Sequence, residues 1–364
     1  MRELENEDPW IAAMRRGDFA AAWEISDALL ETKRAQDHTT VPRHFQTIWD
    51  GRPLAGQRVL VRCYHGLGDT IQFIRYAALL KRIAAQVIVW AQPTLIPLLR
   101  NVEGIDQLLP LHDGTPDAEY DVDVELGELP YVFRTMPETI PANVPYLHVE
   151  PARLQQDERL TVGLIWQSGD WNTSRSIPFA EIQSLAHLPD IDWHLRTGAL
   201  LPGTAGVSPA CGAEDVKRNK QARRLRSPAR ARPQRMELAG IDWHILQREA
   251  RRAGWDGKLG HISGGYNPLD DARIMSALDL VISVDTMTAH LAGALGRNTW
   301  TLLPHEADWR WMVDRDDSPW YPTMRLFRQQ QEGKWDTVIR EVAAELIKVA
   351  ALNRRPSAAG HRDL

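Results

Sequence analysis

The stretch Leu278 to Gly296, LDLVISVDTMTAHLAGALG, constrains this chain more than any other. A β-rich apolar run, Leu280 to Val284, breaks at Asp285-Thr286, and Ala289, Leu291, Ala292 and Leu295 then recur at helical spacing until Gly296. The pattern predicts a strand, a tight turn and a helix. In an open α/β sheet such a turn sets unpaired N–H groups and the positive end of a helix dipole beyond the carboxyl end of a strand, where anions bind. Thr286, Thr288 and His290 add donors in the same turn and a half. Asp285 or Thr286 also reads as an ordinary helix cap, and the fragment alone leaves both readings open.

The same grammar occurs near the start of the chain. Arg58 to Tyr64, RVLVRCY, is a strand of the fully buried kind, and His65-Gly66-Leu67-Gly68-Asp69 leads into a helix expected over Thr70 to Arg82. Gly66 and Gly68 let backbone pass close to a ligand. A dinucleotide site is disfavoured, because Ile71 stands where a third glycine belongs and Ala91-Gln92, not an acid, follows the next strand. Asp69-Thr70-Ile71-Gln72 also has the spacing of a capping box, so Asp69 is either a cap or a functional carboxylate. In Glu119 to Leu126 apolar and acidic residues alternate, and Asp121 and Asp123, although spaced like a metal-binding pair, read as the solvated face of a strand. In the second half, the strand Leu160 to Trp166 ends in a polar loop with Ser168 and Arg175 before a helix over Pro178 to His187.

At 364 residues two α/β domains are expected, and 43% hydrophobic with 25% charged residues fits a globular chain. The net charge of -5 gives no reason to expect nucleic acid. Cys63 and Cys211 form neither a disulfide framework nor a metal-spaced cluster. The acidic N-terminus lacks the regions of a signal peptide, and no apolar run approaches the ~18 residues of a membrane span, so a cytoplasmic protein is expected. Among the 14 tryptophans, Trp166, Trp171, Trp309, Trp311 and Trp320 sit in polar surroundings suited to stacking on a sugar or base, although most tryptophans are core.

Pro130 to Pro151 carries five prolines and marks a domain boundary. Ile191-Asp192-Trp193-His194 recurs as Ile241-Asp242-Trp243-His244, and the intervening Pro, Gly and Arg-rich tract is too poor in aliphatic residues to fold alone. It reads as an insert with duplicated edges, with a basic arm for nucleic acid or acidic lipid as the competing reading. The second copy is expected to occupy the strand, since Ile245-Leu246-Gln247 continues it. Asp8 to Gln36 reads as two short amphipathic helices about Gly17-Asp18, similar to a single tetratricopeptide unit that must dock on the adjoining domain.

GLGDTIQFIRYAALL (66–80), SVDTMTAHLAGALG (283–296), DWRW (308–311), DRDDSPWYP (314–322) and RLFRQ (325–329) together resemble glycosyltransferase family 9, the heptosyltransferase-like group. The likeness is to the branch preceded by tetratricopeptide units, and it spans Val59 to Lys348 apart from the insert. The resemblance implies a GT-B fold, two Rossmann-like domains facing a cleft. A helical pair (1–41) precedes an acceptor domain (42–150) and a nucleotide-sugar domain (151–352) interrupted at about 195–240, with a disordered tail (353–364). It implies an inverting, metal-independent transferase without cofactor, moving a sugar from a nucleotide diphosphate sugar to a glycan, lipid-linked or protein acceptor. Membrane association is at most peripheral and nucleic acid is not a partner. Asp69 matches the family's general base. Asp285, Thr286, Met287 and Thr288 match the turn holding the donor diphosphate, His290 lies in that motif, and Ser168 and Arg175 join the donor set. His65, Gly66 and Gly68 fall on the acceptor side. Without a metal, charge on the departing diphosphate must be met by a helix N-terminus and basic side chains. A noncatalytic sugar-nucleotide or protein-binding module, or a GT-B epimerase, is the alternative.

Overall fold

The computed structural model describes residues 7–33, 42–43, 46, 48–154, 160–169, 172–187, 191–195, 252–255, 260–264 and 267–353. The insert, the second Ile-Asp-Trp-His copy, Trp171 and the tail past Asn353 lie outside the described residues.

Two parallel sheets organise the chain. The first joins β1 (Arg58–Arg62), β2 (Gln86–Ala91), β3 (Gln107–Pro110) and β4 (Val122–Glu125) in the order β3-β2-β1-β4. The second joins β5 (Leu160–Ile165), β6 (Ile191–Leu195), β7 (His261–Ile262), β8 (Leu280–Val284), β9 (Thr299–Leu303) and β10 (Met324–Arg328) in the order β10-β9-β8-β5-β6-β7. The central strands are uninterrupted apolar runs because both faces of a parallel sheet are covered; β5 and β8 are buried along their whole length. Each sheet reverses its winding once, between β1 and β4 and between β5 and β8. Such switch points open crevices at the carboxyl ends of strands.

The helices are α1 (Pro9–Arg15), α2 (Phe19–Lys33), α3 (Leu67–Phe73), α4 (Ala77–Lys81), α5 (Ile96–Leu99), α6 (Leu129–Val132), α7 (Phe179–Ile182), α8 (Pro268–Met275), α9 (Met287–Ala294) and α10 (Asp336–Asn353). The single helix expected over Thr70 to Arg82 is instead α3, a 3₁₀ turn at Ile74–Tyr76, and α4. At the break, Arg75 Nε donates to the Gln72 carbonyl at 2.7 Å. No described helix is long and apolar enough to cross a membrane.

The first copy of the repeat, not the favoured second, forms β6. It pairs in register with β5 from Leu160↔Ile191 to Leu164↔Leu195. The first copy comes next in chain order after α7 and the 3₁₀ helix Gln183–His187, and short connections between sequential elements are preferred.

The helical pair docks on both halves. Trp23 Nε1 donates to the Thr135 carbonyl at 2.7 Å, and Asp27 pairs with Arg134 on the first half. On the second, the Val313 N–H donates to the Arg15 carbonyl and Trp10 meets Trp309 edge-on at 5.4 Å. One apolar cluster runs from α1 and α2 through Ile71 and Phe73 to Leu291, Trp311 and Trp320. Trp166, Trp311 and Trp320 are therefore core residues, and Trp309 stacks on Phe73, so these rings are not open platforms for a ligand. α10 closes the second face with Val338, Ile339, Val342 and Leu346, one stripe of an amphipathic helix.

Candidate functional site

The two switch points meet. α3 follows β1 and α9 follows β8, and the two helices pack with Gly68 against the first turn of α9. A Cβ added to Gly68 would lie 3.0 Å from His290 Cδ2 and 3.3 Å from the Met287 Cα. Gly68→Ala should therefore wedge the two turns apart. We expect a stability loss of about 1–3 kcal/mol in chemical denaturation, the usual cost of overpacking, and none if the turns simply part without cost.

Asp69 occupies the N-terminal turn of α3, and both of its oxygens are engaged. Oδ2 accepts from the Gly66 N–H at 2.9 Å, so Asp69 stands at the third position of a helix capped by Gly66 and is not the N-cap of the expected Asp69–Gln72 box, because the helix begins three residues earlier, at Leu67; Oδ1 pairs with Arg310 from the opposite half. Arg310 also pairs with Asp308 at 2.9 Å. Burial pulls the Arg310 guanidinium down, but Asp308, Asp69 and Asp285 outweigh it and hold it above its ordinary value. It stays a cation at any accessible pH.

Across the cleft, Thr286 caps α9: its Oγ1 accepts from the Thr288 N–H at 3.2 Å and lies 3.3 Å from Ser283 Oγ. Asp285 is buried, and Arg175 from the loop after β5 brings Nη1 to 3.4 Å of its Oδ2. Burial raises the Asp285 carboxyl, partly offset by Arg175. Ser168 braces that loop, its Oγ 2.7 Å from the Asn172 carbonyl and 2.9 Å from Ser176 Oγ. His290 is buried, stacked on Trp311 at 5.3 Å, with Nδ1 3.0 Å from the Tyr321 hydroxyl. Burial, then the charges of Arg310, Arg75 and Arg175, hold it well below its ordinary pKa, as a neutral imidazole.

On the first half, half-exposed His65 has Nε2 3.5 Å from Glu125 Oε2. The expected solvated acidic face holds for Asp121 and Asp123, which pair with Arg58 and Arg62 of the neighbouring strand. It fails at Glu125, which is buried at the carboxyl end of β4 and accepts from the Gly127 N–H at 2.5 Å and the Tyr64 N–H at 3.3 Å. The strand ends there and the chain turns inward. The spacing Glu125-x-x-Glu128, a capping-box pattern, was the available signal. Arg310, Asp308 and Arg75 were not singled out from sequence either. Only the polar loop after β9 pointed to the first two.

Site residues from four strand ends thus converge: Asp69 after β1, Arg175 after β5, Asp285 to Thr288 after β8, and Arg310 after β9. A carboxylate on one half faces cations and a helix N-terminus on the other.

No protein-family model matches the chain. Protein FlbA of Caulobacter vibrioides (strain ATCC 19089 / CIP 103742 / CB 15) is 26% identical over 345 residues, covering 83% of this chain and 48% of its own length. The chain thus spans about half the length of that relative. Among solved structures, the ADP-heptose LPS heptosyltransferase II of E. coli is 13% identical with a TM-score of 0.46, over 82% of this chain and 100% of that one. The glycosyl transferase family 9 structure from Veillonella parvula DSM 2008 is 12% identical with a TM-score of 0.50, over 83% of this chain and 98% of that one. With its two parallel sheets meeting at their switch points, the chain has the fold of that family 9 glycosyl transferase.

Proposed function

We propose that the protein is an inverting glycosyltransferase of the GT-B kind, taking a sugar from a nucleotide diphosphate donor to an acceptor hydroxyl. The observation that carries this reading is Asp69 held against Arg310 where α3 meets the N-terminus of α9. The residues 42–150 form the acceptor half and 151–352 the donor half, with the tetratricopeptide-like pair as an N-terminal appendage. The acceptor O–H gives its proton to Asp69 as its oxygen bonds to the anomeric carbon. The bond from that carbon to the diphosphate breaks on the opposite face, and its electron pair leaves with the diphosphate oxygen. The N–H groups of the Thr286 to Thr288 turn, with Arg175 and Arg310, meet the charge that develops there, so this chemistry needs no divalent ion. His65 and the glycine turn border the acceptor; Ser168 holds the loop that carries Arg175.

Fold alone does not assign a reaction. The test is a panel of nucleotide diphosphate sugars, read by thermal shift and by release of nucleoside diphosphate. A transferase raises the melting temperature with one donor and slowly hydrolyses it without acceptor. Binding with no release would make the protein a noncatalytic sugar-nucleotide module, and epimerised donor would make it an epimerase.

A further inference from the structure

Phe73 lies one turn after Asp69 on α3, so the two side chains leave the same face of the helix. Trp309 stacks on Phe73 with ring centres 6.3 Å apart and planes 14° from parallel, and the next residue, Arg310, meets Asp69. The Arg310 guanidinium lies 5.2 Å from the centre of the Trp309 ring and 5.6 Å from that of Phe73. Two successive residues of the loop after β9 thus match two residues one turn apart on α3. The loop makes this fit at a cost in backbone conformation. Met312 has φ 51° and ψ −174°, and Asp314 has φ 56°, values that residues with a Cβ rarely adopt and that persist only where the surroundings hold them.

α1 supplies that hold from the outer side. Trp10 meets Trp309 with planes 80° apart, and its own Nε1 donates to Ser26 Oγ of α2 at 3.1 Å. The Arg15 carbonyl, at the end of α1, accepts at 3.0 Å from the N–H of Val313, the residue between the two strained positions. Gly17 packs on the same turn, where an added Cβ would lie 3.6 Å from Met312 Sδ. From the inner side, Trp320 Nε1 donates to the Arg310 carbonyl at 3.0 Å.

We infer that the N-terminal helical pair is a brace that holds the Arg310 loop across the cleft, with Trp10 a positioning residue for Arg310 that acts through Trp309. The pair is anchored on the first half, through Trp23 on Thr135 and Asp27 on Arg134, and grips a strained loop of the second. Parting Arg310 from Asp69 therefore also strains one of these two attachments. The effect of the brace on turnover rests on the transferase reading of Arg310; its hold on the loop does not.

The experiment is hydrogen exchange read by mass spectrometry on the full chain, comparing the parent with two variants. Trp10→Leu keeps apolar bulk without an aromatic edge; Trp10→Phe keeps the edge and loses only the bond to Ser26. In Trp10→Leu the amides of residues 309–314 are expected to exchange about tenfold faster or more, while β1, β8 and α9 stay as slow as in the parent. Trp10→Phe should match the parent. Unchanged exchange at 309–314 in Trp10→Leu, a rise spread over both sheets, or an equal rise in Trp10→Phe overturns the brace. The second arm measures release of nucleoside diphosphate from adenosine, guanosine and uridine diphosphate hexoses. With the donor that the parent hydrolyses, kcat should fall about 10–10²-fold in Trp10→Leu, the scale of a misplaced group, and recover in Trp10→Phe. A parent-like kcat in Trp10→Leu overturns the positioning role. If the parent hydrolyses none of these donors, the transferase reading is weakened, and the exchange result still decides the brace.

Discussion

Asp69→Asn is expected to lower kcat about 10²-fold while leaving the KM for donor nearly unchanged, the scale and pattern of losing a positioned base. The structure makes this a sharp test because the carboxylate has two other tasks. Asparagine keeps the first, since its Oδ1 still accepts from the Gly66 N–H. It loses the second, since its amide cannot pair with Arg310, and the loss should cost about 1–3 kcal/mol, as for hydrogen bonds to charged groups. A cap alone would give near-normal turnover with a small change in melting temperature. Arg310 keeps its pairing with Asp308 in the variant, so the donor KM should change little; a raised donor KM with near-normal kcat would mean that Asp69 acts only as a tether for Arg310. Steady-state kinetics on the variant, with denaturation alongside, separates the three.

How much of this was legible in the sequence depends on how local the signal was. Strand, turn and helix at 58–73 and 280–294 could be read because an apolar run, Gly or Asp-Thr, and a helical period lie within about twenty residues. The capping role of Thr286 was legible for the same reason, whereas Asp69, expected ahead of the helix, stands at its third position because Gly66 takes the cap. The partnership of Asp69 with Arg310 was not, because it joins residues 241 apart and exists only once two sheets meet at their switch points. Glu125 misled for a different reason. Alternation places it with Asp121 and Asp123, but their arginines stand on β1, and by Glu125 the strand has reached its end, where the backbone N–H groups of Tyr64 and Gly127 take the place of a cation. Periodicity reports which face a residue is on, not where the face stops.

Glu125→Gln should flatten the pH dependence of stability between about pH 5 and 8. Burial raises the Glu125 carboxyl from 4.5 to about 8, with the Glu128 carboxylate adding to the shift and the N–H donors of Gly127 and Tyr64 opposing it. Glu128 is itself held as an acceptor by the N–H groups of Ile48, Trp49 and Glu125. Proton counting gives the sign. Above pH 4.5 the unfolded chain loses this proton while the folded chain keeps it until about 8, so the folded state binds more protons and stability falls as pH rises through that window. The slope is about 1.4 kcal/mol for each pH unit, and the penalty is absent below 4.5 and complete above 8. Over the whole window it reaches several kcal/mol, a large share of the stability of an ordinary domain. Glutamine cannot ionise, so the variant lacks this term. It gives up one acceptor to a backbone N–H, which should leave it less stable than the parent at pH 5 and more stable at pH 9. Thermal or urea unfolding at pH 5, 7 and 9 checks the crossing. Parallel curves for the two proteins would mean that Glu125 is ionised in the folded state throughout this range.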